Sequence, residues 1–293
     1  MRVLPARARS GGKDPEMSAL EKIFNISGKT VLVTGAGGFF GRYFCRTLLE
    51  SGARVLMFGR SAKTAANLKV LRDEFGADKL FAYKIDFYNL GAYGRSLKAA
   101  AKDFKIDALV NNAFDLGPKT GFNTPSGRFE NSTYAQWKAS FDSGIYWAVL
   151  ATQIVGAGMR KRGRGSIINI SSMYGLVSPS PSLYEGTKFF NPPGYGVAKA
   201  GLLALTRYTA SFWGGDGVRA NAIAAGPFSN TEDETANSVK KGDPFLEKLK
   251  ARTALGRTGH PRELAGALVY LASDASSYMT GQTIVVDGGW TMI

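Results

Sequence analysis

Three tyrosines in this chain are each followed four residues later by a lysine: Tyr134 with Lys138, Tyr184 with Lys188, and Tyr195 with Lys199. On a helix, side chains four apart share a face, so each pair can set an ammonium beside a phenol. The chemistry this suits is proton transfer. When hydride adds to a carbonyl, the resulting alkoxide needs a proton and a stabilising donor. A tyrosine with an ordinary pKa near ~10 holds its proton too firmly for neutral operation, and a close cation favours the phenolate. Lowering the pKa by about three units takes roughly 4 kcal/mol. One cation in a partly dry site, helped by a cofactor's charge, can supply that.

The flanks separate the three pairs. Tyr184 lies in LYEGTKFFNPP, where Gly186, Pro192 and Pro193 prevent a continued helix. Tyr134 lies ahead of the strand-like GSIINISS. Tyr195 opens YGVAKAGLLALTRYTA, a strongly apolar helical stretch, so the helix-borne pair is expected at Tyr195 and Lys199. GSIINISS itself, Gly165 to Ser172, ends in two hydroxyls, and strand alternation lets one of Ser171 and Ser172 face a site.

A second constellation is TGAGGFFG, Thr34 to Gly41, between an apolar strand and a helix. Glycines there permit a tight turn, and the helix start offers unpaired N–H groups to a pyrophosphate. At the end of the next strand a carboxylate would bind ribose hydroxyls and repel an added 2′-phosphate. The chain has Gly59 and Arg60 instead, and a guanidinium pairs with a phosphate through two parallel hydrogen bonds. NADP(H) is therefore the expected cofactor, with NAD(H) the alternative.

These residues need a scaffold. KTVLVT, ARVLMF, KLFAYKI, IDALVNN, GSIINIS, VRANAI and QTIVVD read as seven strands separated by helical stretches. Most are continuously apolar, as strands buried on both faces of a parallel sheet must be. The expectation is a single α/β domain over residues 28–293, a Rossmann-type, doubly wound, seven-stranded parallel sheet, preceded by a partly disordered extension over residues 1–27. Two segments break the rhythm, Ser178 to Gly194 and Phe228 to about Arg252. Both follow strand ends on the carboxyl side, where ligands bind.

From residue 28 to residue 290 the sequence resembles the short-chain dehydrogenase/reductase family. The Tyr195 helix is similar to that family's active-site helix nearly residue for residue, and MTGQTIVVDGGW, Met279 to Trp290, looks like its main branch. The resemblance implies catalytic Ser172, Tyr195 and Lys199, with Ser171 the alternative serine. It implies cofactor contacts at Gly35, Gly37, Gly38, Phe40 and Gly41 of the turn, at Arg60, at Asp86 and Phe87 beside the adenine, at Asn112, at Tyr195 and Lys199, and at Phe228. Substrate contacts are expected at Ser172, Tyr174 and Tyr195. It also suggests a homotetramer or dimer built through helices around residues 131–160 and 195–213.

Several positions depart from the family pattern. The turn follows TGxxGxxG of the extended branch, with Phe39 where the main branch has glycine. Phe114 replaces the glycine of the NNAG element, which here reads Asn111, Asn112, Ala113, Phe114. WKASFDSGIYW puts Gly144 where the family often carries an asparagine holding a water that connects the lysine to solvent. Gly226 stands where proline is common. Tyr195 lies 23 residues after Ser172, whereas Tyr184, at 12, is nearer the usual spacing. The extra loop resembles that of reductases linked to surface-carbohydrate or flagellin-glycan pathways, which suggests a sugar or sugar derivative, free or nucleotide-linked, as substrate. Tyr174, Tyr184, Phe189 and Phe190 can stack on a sugar or bury the loop. Two alternatives are a 3-oxoacyl-carrier-protein reductase and a cofactor-binding regulatory or scaffold protein without turnover.

Composition agrees with a small-molecule enzyme. The net charge is +14, but the basic residues are spread without aromatic interleaving or a DNA-binding signature, so no nucleic-acid partner is expected, and a positive field suits anionic cofactors. No apolar run approaches the ~20 residues that span a bilayer, so no membrane partner is expected. The one cysteine, Cys45, lies on a helical stretch and reads as a core thiol; a cytoplasmic setting suits it. Residues 1–16 carry Arg2, Arg7, Arg9 and Lys13 against Asp14 and Glu16, a net of +2, with no apolar h-region. Met17 opens a more ordinary start, so the leader is expected to be a start-codon artefact or disordered. His260, in GHPRE, reads as a surface or cap residue, and no metal cluster is visible.

Overall fold

The computed structural model describes residues 17–60, 62–229 and 242–293, and only the backbone of residues 62–67. The expectations for residues 1–16, and part of that for the Phe228 to Arg252 segment, lie outside the described residues.

The strands are β1 (Thr30–Thr34), β2 (Arg54–Gly59), β3 (Leu80–Lys84), β4 (Ala108–Asn111), β5 (Gly165–Ser172), β6 (Val218–Ala225) and β7 (Thr283–Val286). They form a parallel sheet in the order β3-β2-β1-β4-β5-β6-β7. Chain order reverses between β1 and β4, so a crevice opens beyond the carboxyl ends of those two strands. Every residue of β1 and β4 is buried, the outcome of covering both faces with helices. Edge strand β3 instead alternates, with Ala82 and Lys84 exposed.

The helices are α1 (Ala19–Phe24), α2 (Phe39–Glu50), α3 (Ala62–Phe75), α4 (Leu90–Asp103), α5 (Tyr134–Phe141), α6 (Trp147–Lys161), α7 (Pro181–Tyr184), α8 (Pro193–Trp213), α9 (Pro244–Ala251) and α10 (Ala265–Ala272). One core layer packs Phe44 and Leu48 of α2 and Leu268 and Leu271 of α10 on the sheet. The opposite layer packs Tyr93 and Leu97 of α4 with Trp147, Val155 and Met159 of α6. Cys45 is fully buried in the first layer, and burial pushes its thiol pKa up. Ile26 is buried in that layer too, so packing contacts begin ahead of residue 28. Just before it, α1 starts with a reciprocal Ser18–Glu21 capping box.

Two features bear on the site. Helices α5 and α6 are joined without a break by a π-helical turn, Asp142–Tyr146, which contains Gly144. Such turns widen the helix locally and are common at functional sites. The extra loop before α8 buries Leu183 and Phe189 against Phe245, Leu246 and Leu249 of α9, with Met173, Tyr174 and Trp290. That satellite core sits over the carboxyl ends of β5 and β6.

Candidate active site

The glycine turn owes its shape to backbone contacts. Gly35 has φ +66°, and a Cβ there would lie 2.8 Å from Ala113 Cα. A Cβ on Gly41 would lie 2.2 Å from the Gly35 carbonyl oxygen. Asn112 ties the turn to β4: its Nδ2 donates to the carbonyls of Thr34 and Gly35, both at 3.1 Å, and its N–H donates to Thr34 Oγ1 at 3.0 Å. Gly38 caps α2 without a side-chain acceptor, so the first-turn N–H groups are available to an anion. The turn, backed by Phe40 with Phe228 edge-on at 5.4 Å, forms one wall of a 420 Å³ cleft that also reaches Arg60, Phe87, Ser172, Tyr195 and Lys199. A dinucleotide fits this arrangement: small residues where backbone must approach it, open N–H groups for its pyrophosphate, and a cation at one end.

The cofactor residues expected from sequence do not all line that cleft. Gly35, Gly37, Gly38, Phe40, Arg60, Phe87, Asn112, Tyr195, Lys199 and Phe228 do. Gly41 is buried behind the turn. Asp86 is exposed outside the lining, its carboxylate accepting from the Tyr88 N–H at 3.2 Å. Phe87 stacks on Trp147 at 5.0 Å. Arg60 already faces an acid that the sequence reading missed, Asp115, at 3.9 Å. Asp115 is buried and accepts from the Tyr88 hydroxyl at 2.7 Å and the Gly117 N–H at 3.0 Å. No motif announces it, because its role arises only when the β4 loop folds back beside the end of β2.

Ser172, Tyr195 and Lys199 meet at the far end of the cleft. Ser171 turns the other way, donating to the Lys199 carbonyl at 2.9 Å and so fastening β5 to α8. Ser172 accepts from the Tyr174 N–H at 3.2 Å. Tyr195 stands between two rings, Phe114 at 5.0 Å and Phe122 at 5.3 Å, both edge to face. Lys199, 5% exposed, donates from Nζ to the Ile170 carbonyl at 2.8 Å. Burial pushes Tyr195 up to about 12, against a lowering hydrogen bond from Ser172, and burial pulls Lys199 down to about 8. The lowering of Tyr195 expected from Lys199 together with the cofactor's charge is not produced by Lys199 alone. Desolvation acts on both groups and dominates, while the ammonium is turned toward Ile170 at 5.6 Å from the Tyr195 ring centroid.

The other two tyrosine–lysine pairs are elsewhere. Tyr134 is 83% exposed, and Lys138 pairs with Asp142 at 2.6 Å. Tyr184 ends the four-residue α7, its hydroxyl donating to Tyr174 at 3.3 Å, and burial pushes its pKa up. Of the four aromatic residues that suggested stacking, Tyr174 and Phe189 are buried and Tyr184 stacks on Phe245. Phe190, under the Arg128 guanidinium at 5.1 Å, lines a separate 870 Å³ cavity with Tyr174, Tyr184 and Asn191. Tyr174 thus belongs to that cavity and not to the cofactor cleft.

One departure from the family pattern, Gly226, has a physical reason here. A Cβ on Gly226 would lie 2.3 Å from Asp287 Cα, and its N–H donates to the Val286 carbonyl at 2.9 Å. Proline would lose that bond and collide. Behind the site runs a buried polar chain not foreseen from sequence: Asn111 Nδ2 to Thr152 Oγ1 and Asn169 Oδ1, then Asn169 Nδ2 to Thr206 Oγ1. His260 caps the turn at Pro261–Leu264 by accepting from the Arg262 N–H. Among the described residues, no group of His, Cys, Asp and Glu is placed to hold a metal ion, and no helix is long and apolar enough to cross a membrane.

Comparison with known proteins agrees with this geometry. A family model described as enoyl-(acyl carrier protein) reductase matches residues 38–291. The chain is 34% identical over 282 residues to an NADP-dependent mannitol dehydrogenase of Hypocrea jecorina, covering 94% of this chain and 97% of that one. It is 31% identical over 270 residues to a galactitol 2-dehydrogenase (L-tagatose-forming) of Cereibacter sphaeroides, covering 92% and 98%. The crystal structure of a gluconate 5-dehydrogenase from Burkholderia cenocepacia, in complex with NADP and tartrate, superposes with a TM-score of 0.76 at 27% identity, over 94% of this chain and 99% of that one. Matched along nearly its whole described length in sequence and in fold, the chain belongs to the short-chain dehydrogenase/reductase family and is an NAD(P)-dependent oxidoreductase that interconverts a carbonyl and a secondary alcohol.

Proposed function

We propose that this enzyme reduces the keto group of a sugar or sugar derivative with NADPH, using Tyr195 as the proton donor. The observation that carries the reading is the enclosed meeting of Ser172, Tyr195 and Lys199 at the end of a dinucleotide-shaped cleft. The relatives named for mannitol, galactitol and gluconate support the substrate class. The cofactor supplies the hydride. The Ser172 hydroxyl donates a hydrogen bond to the substrate oxygen as negative charge gathers on it, and Tyr195 gives that oxygen its phenolic proton. Burial keeps Tyr195 in its protonated, donor form at neutral pH, and its proton leaves only as negative charge gathers on the substrate oxygen. Lys199 contributes its positive field while protonated, which burial limits to pH values below about 8. At the other end of the cleft Arg60, 53% exposed beside Asp115, is placed to pair with a 2′-phosphate. The enzyme is proposed to act in the cytoplasm as a homo-oligomer; the exposed Val197, Tyr208 and Phe212 on α8 support the latter.

NADPH oxidation measured against D-fructose, L-sorbose, 5-keto-D-gluconate and acetoacetyl thioesters tests the substrate reading. Turnover of at least one keto-sugar is expected, with kcat/KM at least tenfold above any thioester. Turnover of thioesters alone sinks the sugar reading, and NADPH binding without turnover of any kind favours a non-catalytic role. The same assay tests Arg60. Arg60→Glu removes the guanidinium and adds a second carboxylate next to Asp115, so the NADPH-to-NADH ratio of kcat/KM should fall by about a hundredfold or more, two charge-assisted bonds being worth roughly 3 kcal/mol. An unchanged ratio removes Arg60 from cofactor choice.

A further inference from the structure

Phe114 and Gly144 were two separate departures in the sequence; in space they touch. A Cβ built on Gly144 would lie 2.9 Å from Phe114 Cε2, 3.3 Å from its Cδ2, and 2.5 Å from Ala198 Cβ on α8. The phenyl ring thus takes the room that a side chain at 144 would need. The same ring lies 5.0 Å from Tyr195, nearly perpendicular to it, and its face is 5.1 Å from Lys199 Nζ. Phe122 closes on both rings, at 6.0 Å from Phe114 and 5.3 Å from Tyr195. The ammonium therefore has an aromatic wall on the side of the π-helical turn and donates to one carbonyl, that of Ile170.

We infer that Phe114 and Gly144 form one matched unit, in which the glycine admits the ring and the ring seals Lys199 from water on the α5–α6 side. The inference rests on Tyr195 and Lys199 being the reacting pair, and it makes Phe114 a positioning residue that acts through them. The ring face offsets part of the desolvation of the ammonium, but it offers no route for protons. A proton lost by Tyr195 must then be replaced from the ligand cleft and not through the helix turn.

The charges around Lys199 leave the ring in control of its surroundings. The ionisable groups about it are phenols: Tyr195 on its own helix, Tyr174 after β5, which acts on Tyr195, and Tyr184 in the loop, on which Tyr195 acts. The acids on the packed elements are engaged elsewhere. Asp115 binds Tyr88, Asp142 binds Lys138, and Asp287 accepts from Gly289 and Thr291. Burial is what displaces the lysine, so admitting water should move it back upward.

The test is a direct titration of Lys199 by the 13C resonance of its Cε, assigned by its loss in Lys199→Met. The full-length protein, Phe114→Leu and Phe114→Gly are compared, with circular dichroism to verify folding. The unmodified protein should titrate near pH 8 and Phe114→Leu, which keeps an apolar plug, within roughly half a unit of it. Phe114→Gly should titrate higher by about one unit or more, because water stabilises the ammonium. A merely structural ring would lower stability without moving this midpoint. Gly144→Ala supplies a second readout: it should lower Tm by at least about 2 °C more with Phe114 present than in the Phe114→Gly background, contacting residues being non-additive. Coincident Lys199 midpoints in Phe114→Gly and the unmodified protein, or additive Tm losses, overturn the inference. None of these readouts requires turnover, so an active Tyr195→Phe enzyme would sink the catalytic reading separately from the seal.

Discussion

Tyr195→Phe is expected to lower kcat by about a thousandfold while NADPH affinity changes by less than about threefold. General acid catalysis contributes roughly 10²–10⁴ in rate, and this substitution removes only the acid. The Phe122 and Phe114 rings would still hold the phenyl group on both sides, so the cleft keeps its shape. Ser172 and Lys199 remain to polarise a carbonyl, which leaves residual turnover above the uncatalysed reaction. The informative contrast is Tyr184→Phe, which has the sequence spacing in its favour. Its hydroxyl donates to Tyr174 within the loop core, so its loss should change kcat less than about fivefold, in keeping with one neutral hydrogen bond. Steady-state kinetics with saturating NADPH checks both. The reverse pattern, a collapse with Tyr184→Phe and little change with Tyr195→Phe, would displace the assignment made here.

Gly41→Ala should produce the largest loss in cofactor binding. The added methyl carbon would stand 2.2 Å from the Gly35 oxygen and 2.8 Å from Ala36 C and Cα. All three are backbone atoms, so no rotamer change can relieve the contact, and the turn must separate from α2. Overpacking of this kind costs about 3 kcal/mol at the upper end of its range. The displacement also moves the α2 N–H groups that face the cleft, and a 1 Å misplacement is worth about a hundredfold. NADPH Kd should therefore rise by about that factor, with Tm lower by roughly 6–12 °C. Gly38→Ala is the control, because its Cβ meets one oxygen at 3.1 Å; it should bind NADPH within about tenfold of the unmodified protein. Equal affinities for Gly41→Ala and the unmodified protein would mean that the pyrophosphate does not sit on this turn.

How much of this could be read from the residues depended on whether the signal was local. Most of the seven strands were legible because strands buried on both faces of a parallel sheet read as short continuous apolar runs. The preference for Tyr195 over Tyr184 rests on a glycine and two prolines that keep the short α7 from running on to Lys188. Contacts made across the chain were not. Asp115 beside Arg60, Phe122 beside Tyr195 and the fit of Phe114 over Gly144 join segments with no common periodicity. The protonation of the proposed catalytic pair was not legible for a related reason. Spacing places a lysine near a tyrosine, but it does not say how deeply both are buried, and depth governs their protons here. The extra loop was correctly marked by its length, yet most of its aromatic residues turn inward to hold it down.

The buried Asn111–Asn169–Thr206 chain has a bearing on how such an enzyme can diversify. It links β4, β5 and α8 through residues adjacent in sequence to Asn112, on the same strand as Ser172 and on the same helix as Lys199, and the Asn169 amide finds a partner for both its oxygen and its nitrogen. The proposed reacting groups share their strand and helix with that internal latch, whereas the loop between Ser172 and Tyr195 anchors itself on a separate cluster with α9. Lengthening or rewriting the loop would leave the latch untouched. A lineage built this way is free to change what it reduces while keeping how it reduces.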